Sequence, residues 1–548
     1  MWQEQDIGSR HVEGRGHHLR AVSETQPPTP SPGGPPPEAP APPAPAAGAG
    51  RVLARNAAWN AASYVLHALV LLLLSPEVVQ ALGNDLFGVW VIINTLTGYL
   101  NVADFGIRPA IVHFVARHHA RDEADEVERY VHGAFVTLAL GGAAILVATL
   151  VLAPNLGSWF DVDPSQHHAA SWALVISGVL LAVMLPLNAF TAVLIGRQRF
   201  DLTCRIDLVS LAASTTGIIL VLVFGGGIVA LALVIGLVEL GEMLWKTRLA
   251  FREQPGLTFW PKRATRATAR GLLGYGAFNI VVTTSLLLSD KTDALVIGGA
   301  MSAWWVTLFD RAAKMPVHAR TLVFQVGRVL MPELGARHAV GDKVGLVRLL
   351  TTSSRQVLLA ATPLIVYLFV LGGAFLETWM KGDSSFRILG DQSLVVLAFA
   401  ALFPISSYPL VMAHQGTGHM RSLALATLFE GATNLGLSLW WVRDHGLVGV
   451  AYGTLVPAAI VHGFVLPWWN GSRLGFNLFG WWARVWSLPL IAGGVAYGAL
   501  RLVFDVDATY GWPALIGGGV LSVAVVAAIA FGAPPGIGLR RRPTEATP

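Results

Sequence analysis

Beyond residue 50 the chain is a succession of unbroken apolar runs, most of them near twenty residues long, joined by short polar stretches. That pattern limits the fold more than any motif does. A helix rises 1.5 Å per residue, so about 20 apolar residues cross the roughly 30 Å hydrocarbon layer of a membrane. Fourteen segments meet this length: 53–74, 86–105, 130–153, 170–195, 207–223, 228–245, 272–289, 304–331, 352–376, 392–413, 422–441, 447–467, 482–503 and 513–532. Segments five and six are joined only by Phe224 and Gly225–Gly227, which predicts a tight helical hairpin. The eighth is interrupted by Pro316 and several charges. A transmembrane barrel is excluded, because its strands alternate over about ten residues instead of running apolar without a break. Composition agrees: only 13% of residues are charged, against about 25% in a soluble domain. The mean hydropathy of +0.57 belongs with that scarcity. A water-soluble enzyme is thereby excluded, as is a normal soluble body on a single anchor. The fold class expected is an all-α polytopic membrane protein of about 14 transmembrane helices.

Residues 1–50 are a different material. Between Gln26 and Gly50 lie 11 of the 31 prolines, a composition that favours extended, solvated backbone. A disordered tail is expected there, without the apolar region of a signal peptide. Orientation follows from Lys and Arg in the short loops. Twenty-three lie on one side, including the seven from Lys246 to Arg270, and five on the other: Lys291, Lys381, Arg387, Arg443 and Arg501. Both termini are then cytoplasmic, which requires an even number of spans. The organisation expected is a tail (1–50), a first lobe of six spans (51–250), a cytoplasmic linker (251–271), a second lobe of six (272–470), two further spans (471–535) and a short cytoplasmic tail (536–548).

No loop exceeds about 25 residues, so no soluble catalytic domain is accommodated. The chain carries no nucleotide phosphate loop, no His-Glu-x-x-His and no Gly-x-Ser-x-Gly. Its lone cysteine, Cys204, allows neither an intrachain disulfide nor a thiolate metal site. No metal, cofactor or nucleic-acid partner is expected, and function is sought inside the membrane segments. Polar residues form stripes there at helical spacing. Segment one carries Asn56, Asn60, Ser63 and His67; segment two and its flank carry Asn94, Thr97, Asn101, Asp104 and Arg108; segment seven carries Asn279, Thr283 and Asp290. Segment eight is richest, with Asp310, Lys314, His318, Thr321, Gln325 and Arg328 inside an arc of about 80°. Arg311 and Arg320 are expected to point elsewhere on that helix. An unpaired charge at mid-bilayer costs about 2.5–3.5 kcal/mol, so such faces meet another helix or a water-filled lumen. Stripes recurring six spans apart suggest two six-helix halves facing one lumen. Arg108, Lys314 and Arg328 suit an anion such as phosphate or pyrophosphate. Glu430, paired with Asn434 four residues on, is a candidate for coupling to an ion gradient, or a helix–helix contact. Glu239 and Glu242 read as interfacial, and Trp468, Trp469, Trp481 and Trp482 as an interfacial belt.

Three stretches also carry a resemblance. Leu82-Gly83-Asn84-Asp85-Leu86-Phe87-Gly88-Val89-Trp90 with Ala103-Asp104-Phe105-Gly106-Ile107 resembles the amino-terminal signature of polysaccharide flippases. These are the O-antigen and teichoic-acid exporters of the multidrug/oligosaccharidyl-lipid/polysaccharide superfamily. Ser289 to Gly298 is similar to that family's segment opening the second half, and Glu430–Leu439 with Gly446–Thr454 to its late hairpin. The resemblance covers about residues 51–535. It implies two six-helix lobes plus two C-terminal helices, alternating access around a central cavity, and a polyprenyl-diphosphate-linked oligosaccharide moved to the outer leaflet of a bacterial cytoplasmic (inner) membrane. On that reading Arg108, Lys314 and Arg328 contact diphosphate or acidic sugar, Asn56, Asn60, Asn94 and Asn279 contact hydroxyls, and His67, Asn101, His318 and Gln325 complete the lumen. Asp104, Asp290, Asp310 and Glu430 are then coupling or gating groups, and the partners are the lipid-linked oligosaccharide, membrane lipids, a coupling ion (H+ or Na+) and polysaccharide assembly proteins. The alternatives are a multidrug/cation antiporter of the same superfamily and, with less support, an integral-membrane glycan polymerase or ligase, which ordinarily carries a large external loop. In each transport reading the protein is not an enzyme.

Overall fold

The structure, a computed structural model, describes residues 49–533 apart from Phe105, Arg328, Val329 and Gly418. Side chains are described from Tyr64 onward, except at residues 278–279, 286, 322, 325–332 and 389–390. The packing described below lies within residues 53–533.

Backbone hydrogen bonds cannot be given to lipid, so the apolar runs close their own ladders as helices. The fifteen long ones are α1 (Ala49–Leu100), α2 (Ile107–His119), α3 (Ala124–Leu152), α4 (His167–Gly196), α5 (Phe200–Val223), α6 (Ile228–Glu253), α7 (Arg266–Ala300), α8 (Ala303–Gly327), α9 (Leu330–Ala339), α10 (Lys343–Trp379), α11 (Ser384–Gly416), α12 (Met420–Ala458), α13 (Leu466–Leu474), α14 (Leu478–Val503) and α15 (Trp512–Gly532). No strand occurs among the described residues. Ten spans are long and apolar enough to cross a membrane, or eleven if the bent pair Arg266–Ala277 and Ile280–Ala300 is one crossing. The expected fourteen differ for physical reasons. Residues 64–104 and 420–474 each count once, yet each is broken at a glycine, Gly83 (φ 76°) and Gly446 (φ 56°). Positive φ is costly for any residue with a Cβ, so the chain turns at both places without losing its helical neighbours. The α8 helix carries Asp310, Arg311, Lys314 and Arg320, too many charges for a lipid-facing span.

Two groups of helices pack. In the first, α4 lies between α3 and α6, with α2 against α3 and α4 and α5 against α6. In the second, α7 packs along α12, α8 and α12 flank α11, and α10 joins α11 to α14 and α15. Close crossings use small residues, as membrane helices do. A Cβ on Gly431 would stand 2.8 Å from the Ser285 carbonyl oxygen, so glycine is required where α12 crosses α7. Large apolar side chains face outward, among them Leu140, Val147, Leu490 and Val520, each more than half exposed.

Two local expectations change. The second polar stripe is not one helix face: α1 ends at Leu100, a 3-10 turn spans Asn101–Asp104, and Gly106 at φ 62° starts α2 in a new direction. Asp104 Oδ1 accepts from Gly106 N at 2.7 Å and forms no ion pair with Arg108. Trp481 is only 2% exposed and Trp482 donates to the Gly463 carbonyl at 2.7 Å, so both serve interior packing instead of a belt. The linker after α6 folds onto the end of α3. There Glu128 accepts from Thr258 Oγ1 at 2.9 Å and pairs with Arg263 at 3.0 Å, and the fully buried His132 faces the Thr258 carbonyl at 2.9 Å. Asp125, pairing with Arg263 at 2.5 Å, raises that guanidinium's pKa and so holds it charged.

Candidate functional site

Helices from both groups enclose a cavity of about 650 Å³. Its wall is drawn from α1, α5, α6, α7, α8, α10, α11 and α12. Its basic side chains are confined to two neighbouring helices, which also carry Asp290, Asp293 and Asp310. Among the described residues, the Lys and Arg on the lining are Lys291, Arg311, Lys314 and Arg320, all from α7 and α8. Asp207 of α5 and Glu239 and Glu242 of α6 belong to the same lining. Lys246, behind them, holds Asp207 and Glu242 at 2.6 Å each.

The basic wall is built by helical spacing. Asp310 pairs with its neighbour Arg311 and, one turn on, with Lys314 at 3.4 Å. Arg311 is 7% exposed and lies over the Phe87 ring at 4.7 Å and the Trp379 ring at 5.9 Å. Desolvated charges of this kind persist only when paired, and Asp310 supplies the pair. Lys314 keeps about a third of its side chain exposed on the cavity lining, where it is placed to meet an anion. Farther along α8, Arg320 donates to both oxygens of Asp290 at 2.8 Å, joining α8 to α7. Tyr64 and His318 Nδ1 lie 3.2 Å apart, linking α1 to the same face.

Of the residues expected from sequence, His67, Asn94, Asp290, Asp310, Lys314, His318 and Glu430 are on the lining. Asn101, Asp104 and Arg108 are not, because the chain has turned at Gly106 before Arg108. Arg108 Nε is buried with no hydrogen-bond partner among the described residues. Asn56, Asn60, Asn279, Gln325 and Arg328 lie outside the residues whose side chains are described. Arg311 and Arg320, expected to point away, are on the lining, since the cavity wraps around more of α8 than an 80° arc. Glu430 pairs not with Asn434 but with His462, Oε2 to Nε2, at 3.2 Å.

Sequence reasoning also missed a buried polar cluster. Asn434 donates to Thr454 Oγ1 at 3.0 Å, and Thr454 donates to Asp293 Oδ2 at 3.1 Å. Asp293 Oδ1 and Asn434 Oδ1 have no donor among the described residues. Asp293 lies three residues after Asp290 on one helical face, a spacing that marks it; Thr454 stands alone in its segment and carries no such signal. Glu239 and Glu242, read from sequence as interfacial, are on the lining.

At one end of the cavity α1 is tied to the second helix group. Lys381, in the turn between α10 and α11, pairs with Glu77 of α1 at 2.6 Å and reaches Gln80 at 3.1 Å. Asn84, next to the Gly83 break, donates to Asp383 at 3.3 Å, while its carbonyl accepts from Thr307 at 2.6 Å. Trp379 Nε1 donates to the Leu72 carbonyl at 2.7 Å.

A family model described as "Polysaccharide biosynthesis protein" matches residues 80–381, more than half of the chain. The chain is 22% identical over 491 residues to "Uncharacterized membrane protein EpsK" of Bacillus subtilis (strain 168), covering 87% of this chain and 94% of that one. It is 20% identical over 416 residues to "Putative O-antigen transporter" of Shigella flexneri, covering 76% and 97%. Among solved structures it shares the fold of the lipid II flippase MurJ in an inward closed conformation, with a TM-score of 0.67 at 14% identity, over 87% of this chain and 99% of that one.

Proposed function

The chain belongs to the polysaccharide biosynthesis protein family, and on that premise we propose that it moves a polyprenyl-diphosphate-linked oligosaccharide across a bacterial cytoplasmic membrane. It is a multi-pass membrane protein and a transporter, not an enzyme. The observation that carries the proposal is the cavity between the two helix groups, with its Lys and Arg, among the described residues, on α7 and α8. In this reading the diphosphate meets Lys314 and its neighbours, where a charge-assisted hydrogen bond to phosphate is strongest. Sugar hydroxyls meet Asn94, His67 and His318. The acidic α5–α6 wall disfavours a strongly anionic glycan and favours a neutral or amino-bearing one.

Transport is by alternating access. In this reading the contacts of Lys381, Asn84 and Trp379 form the gate on the extracytoplasmic side, shut while they hold. The chain crosses fourteen times with both termini cytoplasmic, as residues 51–250 and 272–470 acting as lobes and 471–535 adding two helices. A gradient of H+ or Na+ supplies the drive, and Asp290 and Asp310, each held by an arginine of α8, act as gating groups. Deleting the gene tests the reading: lipid-linked glycan accumulates in the cytoplasmic leaflet. Normal translocation with unpolymerised or unligated glycan contradicts it.

The acidic wall is also what a cation antiporter of the same superfamily would use. Glu239→Gln separates the two: it leaves glycan movement within a few-fold of wild type, whereas it abolishes export of an organic cation by an antiporter.

A further inference from the structure

A chain of three polar side chains runs from the cavity into the second helix group. Glu430 of α12 lies on the lining and pairs with His462. His462 Nδ1 is 2.6 Å from the Ser407 hydroxyl of α11. Ser407 is fully buried and His462 is 9% exposed, yet Glu430 connects them to the water-accessible space. His462 sits in an unusual piece of backbone. Pro457 has no N–H to donate, and two residues later the chain runs as a π-helix over Ala459–Val465. Such wide turns are rare and concentrate at functional sites.

The arrangement accommodates both protonation states of the imidazole. When it is neutral with Nε2–H donated to Glu430, Nδ1 accepts the Ser407 hydroxyl hydrogen. When it is charged, Nδ1–H donates to Ser407 Oγ, and the hydroxyl hydrogen turns to the Pro404 carbonyl, which lies 3.5 Å from Ser407 Oγ. Neither state strands a buried donor, and a hydroxyl is the group that can switch roles in this way. A residue serving only as packing needs no such reversibility. We propose that His462, held between Glu430 and Ser407, is a proton-binding site that loads and releases one proton through the cavity.

The groups facing the site explain what its charge would move. Arg320 of α8 shares the cavity lining with Glu430 while it grips Asp290 of α7, and Asp293 lies one helical turn beyond Asp290. On α11, His414 lies two turns from Ser407 and is within hydrogen-bond range of Asn470 at 3.4 Å. With His462 protonated, Glu430 is neutralised and Arg320 stays with Asp290. With His462 neutral, Glu430 competes for Arg320 and loosens the α7–α8 link. The site thus couples proton occupancy to the basic wall, an assignment that rests on the transport reading above for its purpose but not for its chemistry.

The test uses the full-length protein in lipid nanodiscs, without glycan, in weak buffer. Histidine is the side chain that ordinarily titrates between pH 5 and 8, so wild type should take up about one more proton than H462Q over that interval. Equal uptake overturns the proposal. The midpoint of the wild-type-minus-H462Q difference curve should be kept by S407T and lowered by about one pH unit in S407A, a tenfold loss of proton affinity, each measured against its own H462Q double variant. An unchanged midpoint in S407A overturns the Ser407 assignment and does not depend on how well H462Q folds. In proteoliposomes, E430Q and H462Q should move glycan-lipid independently of an imposed pH gradient. If wild type moves none but the uptake difference is present, the transport reading has failed and the proton site has not.

Discussion

At the scale of single residues, the account turns on which charges face the cavity with something left to bind. Lys314 has one carboxylate at 3.4 Å and a side chain about a third exposed on the cavity lining, so its replacement should cost function and not folding. Lys314→Ala is expected to lower flipping tenfold or more, about 1.4 kcal/mol or above in transition free energy, with insertion and melting temperature unchanged. Asp290→Asn is expected to cost stability as well as gating. It strips a partly buried arginine of its counter-charge, so the detergent-solubilised protein should lose stability on the order of 1–3 kcal/mol, and Asp290→Glu should restore much of it. Melting curves of the two variants distinguish the roles. Sequence periodicity found Asp290, Asp310, Lys314, His318 and Glu430 because an intramembrane charge is expensive and conspicuous. It misassigned Arg311 and Arg320 because a 100° spacing says which residues share a face but not how much of the helix a cavity surrounds.

At the scale of elements, the breaks matter as much as the helices. Gly83 and Gly446 adopt backbone angles that a side chain resists, and each sits between two apolar segments that sequence had separated. Gly83→Ala has open space for its methyl but the wrong backbone, so strain alone should destabilise the protein by about 1–3 kcal/mol. Because Asn84 carries two of the contacts across the halves, the same variant should open the closed end of the cavity, detectable as faster labelling of a cysteine placed at Val78. A Gly83→Ala variant as stable and as slowly labelled as wild type contradicts this role. The helices themselves were legible as runs near twenty residues. The turn at Gly106 was not, since Ile107–His119 continues the polar periodicity of the preceding span while the backbone changes direction. Nor was the π-helical stretch holding His462, because widening a helical ladder leaves no mark on composition.

At the scale of the whole molecule, the claim is that two helix groups open alternately around one cavity. The Glu77 and Lys381 side chains meet at 2.6 Å in this state, so with cysteine at both positions in a Cys204→Ser background a cleavable bifunctional thiol reagent should cross-link them and arrest transport reversibly. Cross-linking without loss of transport contradicts a moving gate there. The overall architecture was readable from the first feature of the sequence, its unbroken apolar runs, because lipid leaves the backbone few alternatives. The identity of the wall was less so, since α5, α6, α11 and α12 meet α7 and α8 only in three dimensions. The most direct measurement is flipping by the purified protein in liposomes bearing a fluorescent polyprenyl-diphosphate oligosaccharide in both leaflets. With a membrane-impermeant quencher outside, wild type should bring nearly all fluorescence within reach, while empty liposomes and Lys314→Ala should leave about half protected. If half stays protected with wild type under every imposed H+ or Na+ gradient, the protein does not move this class of lipid.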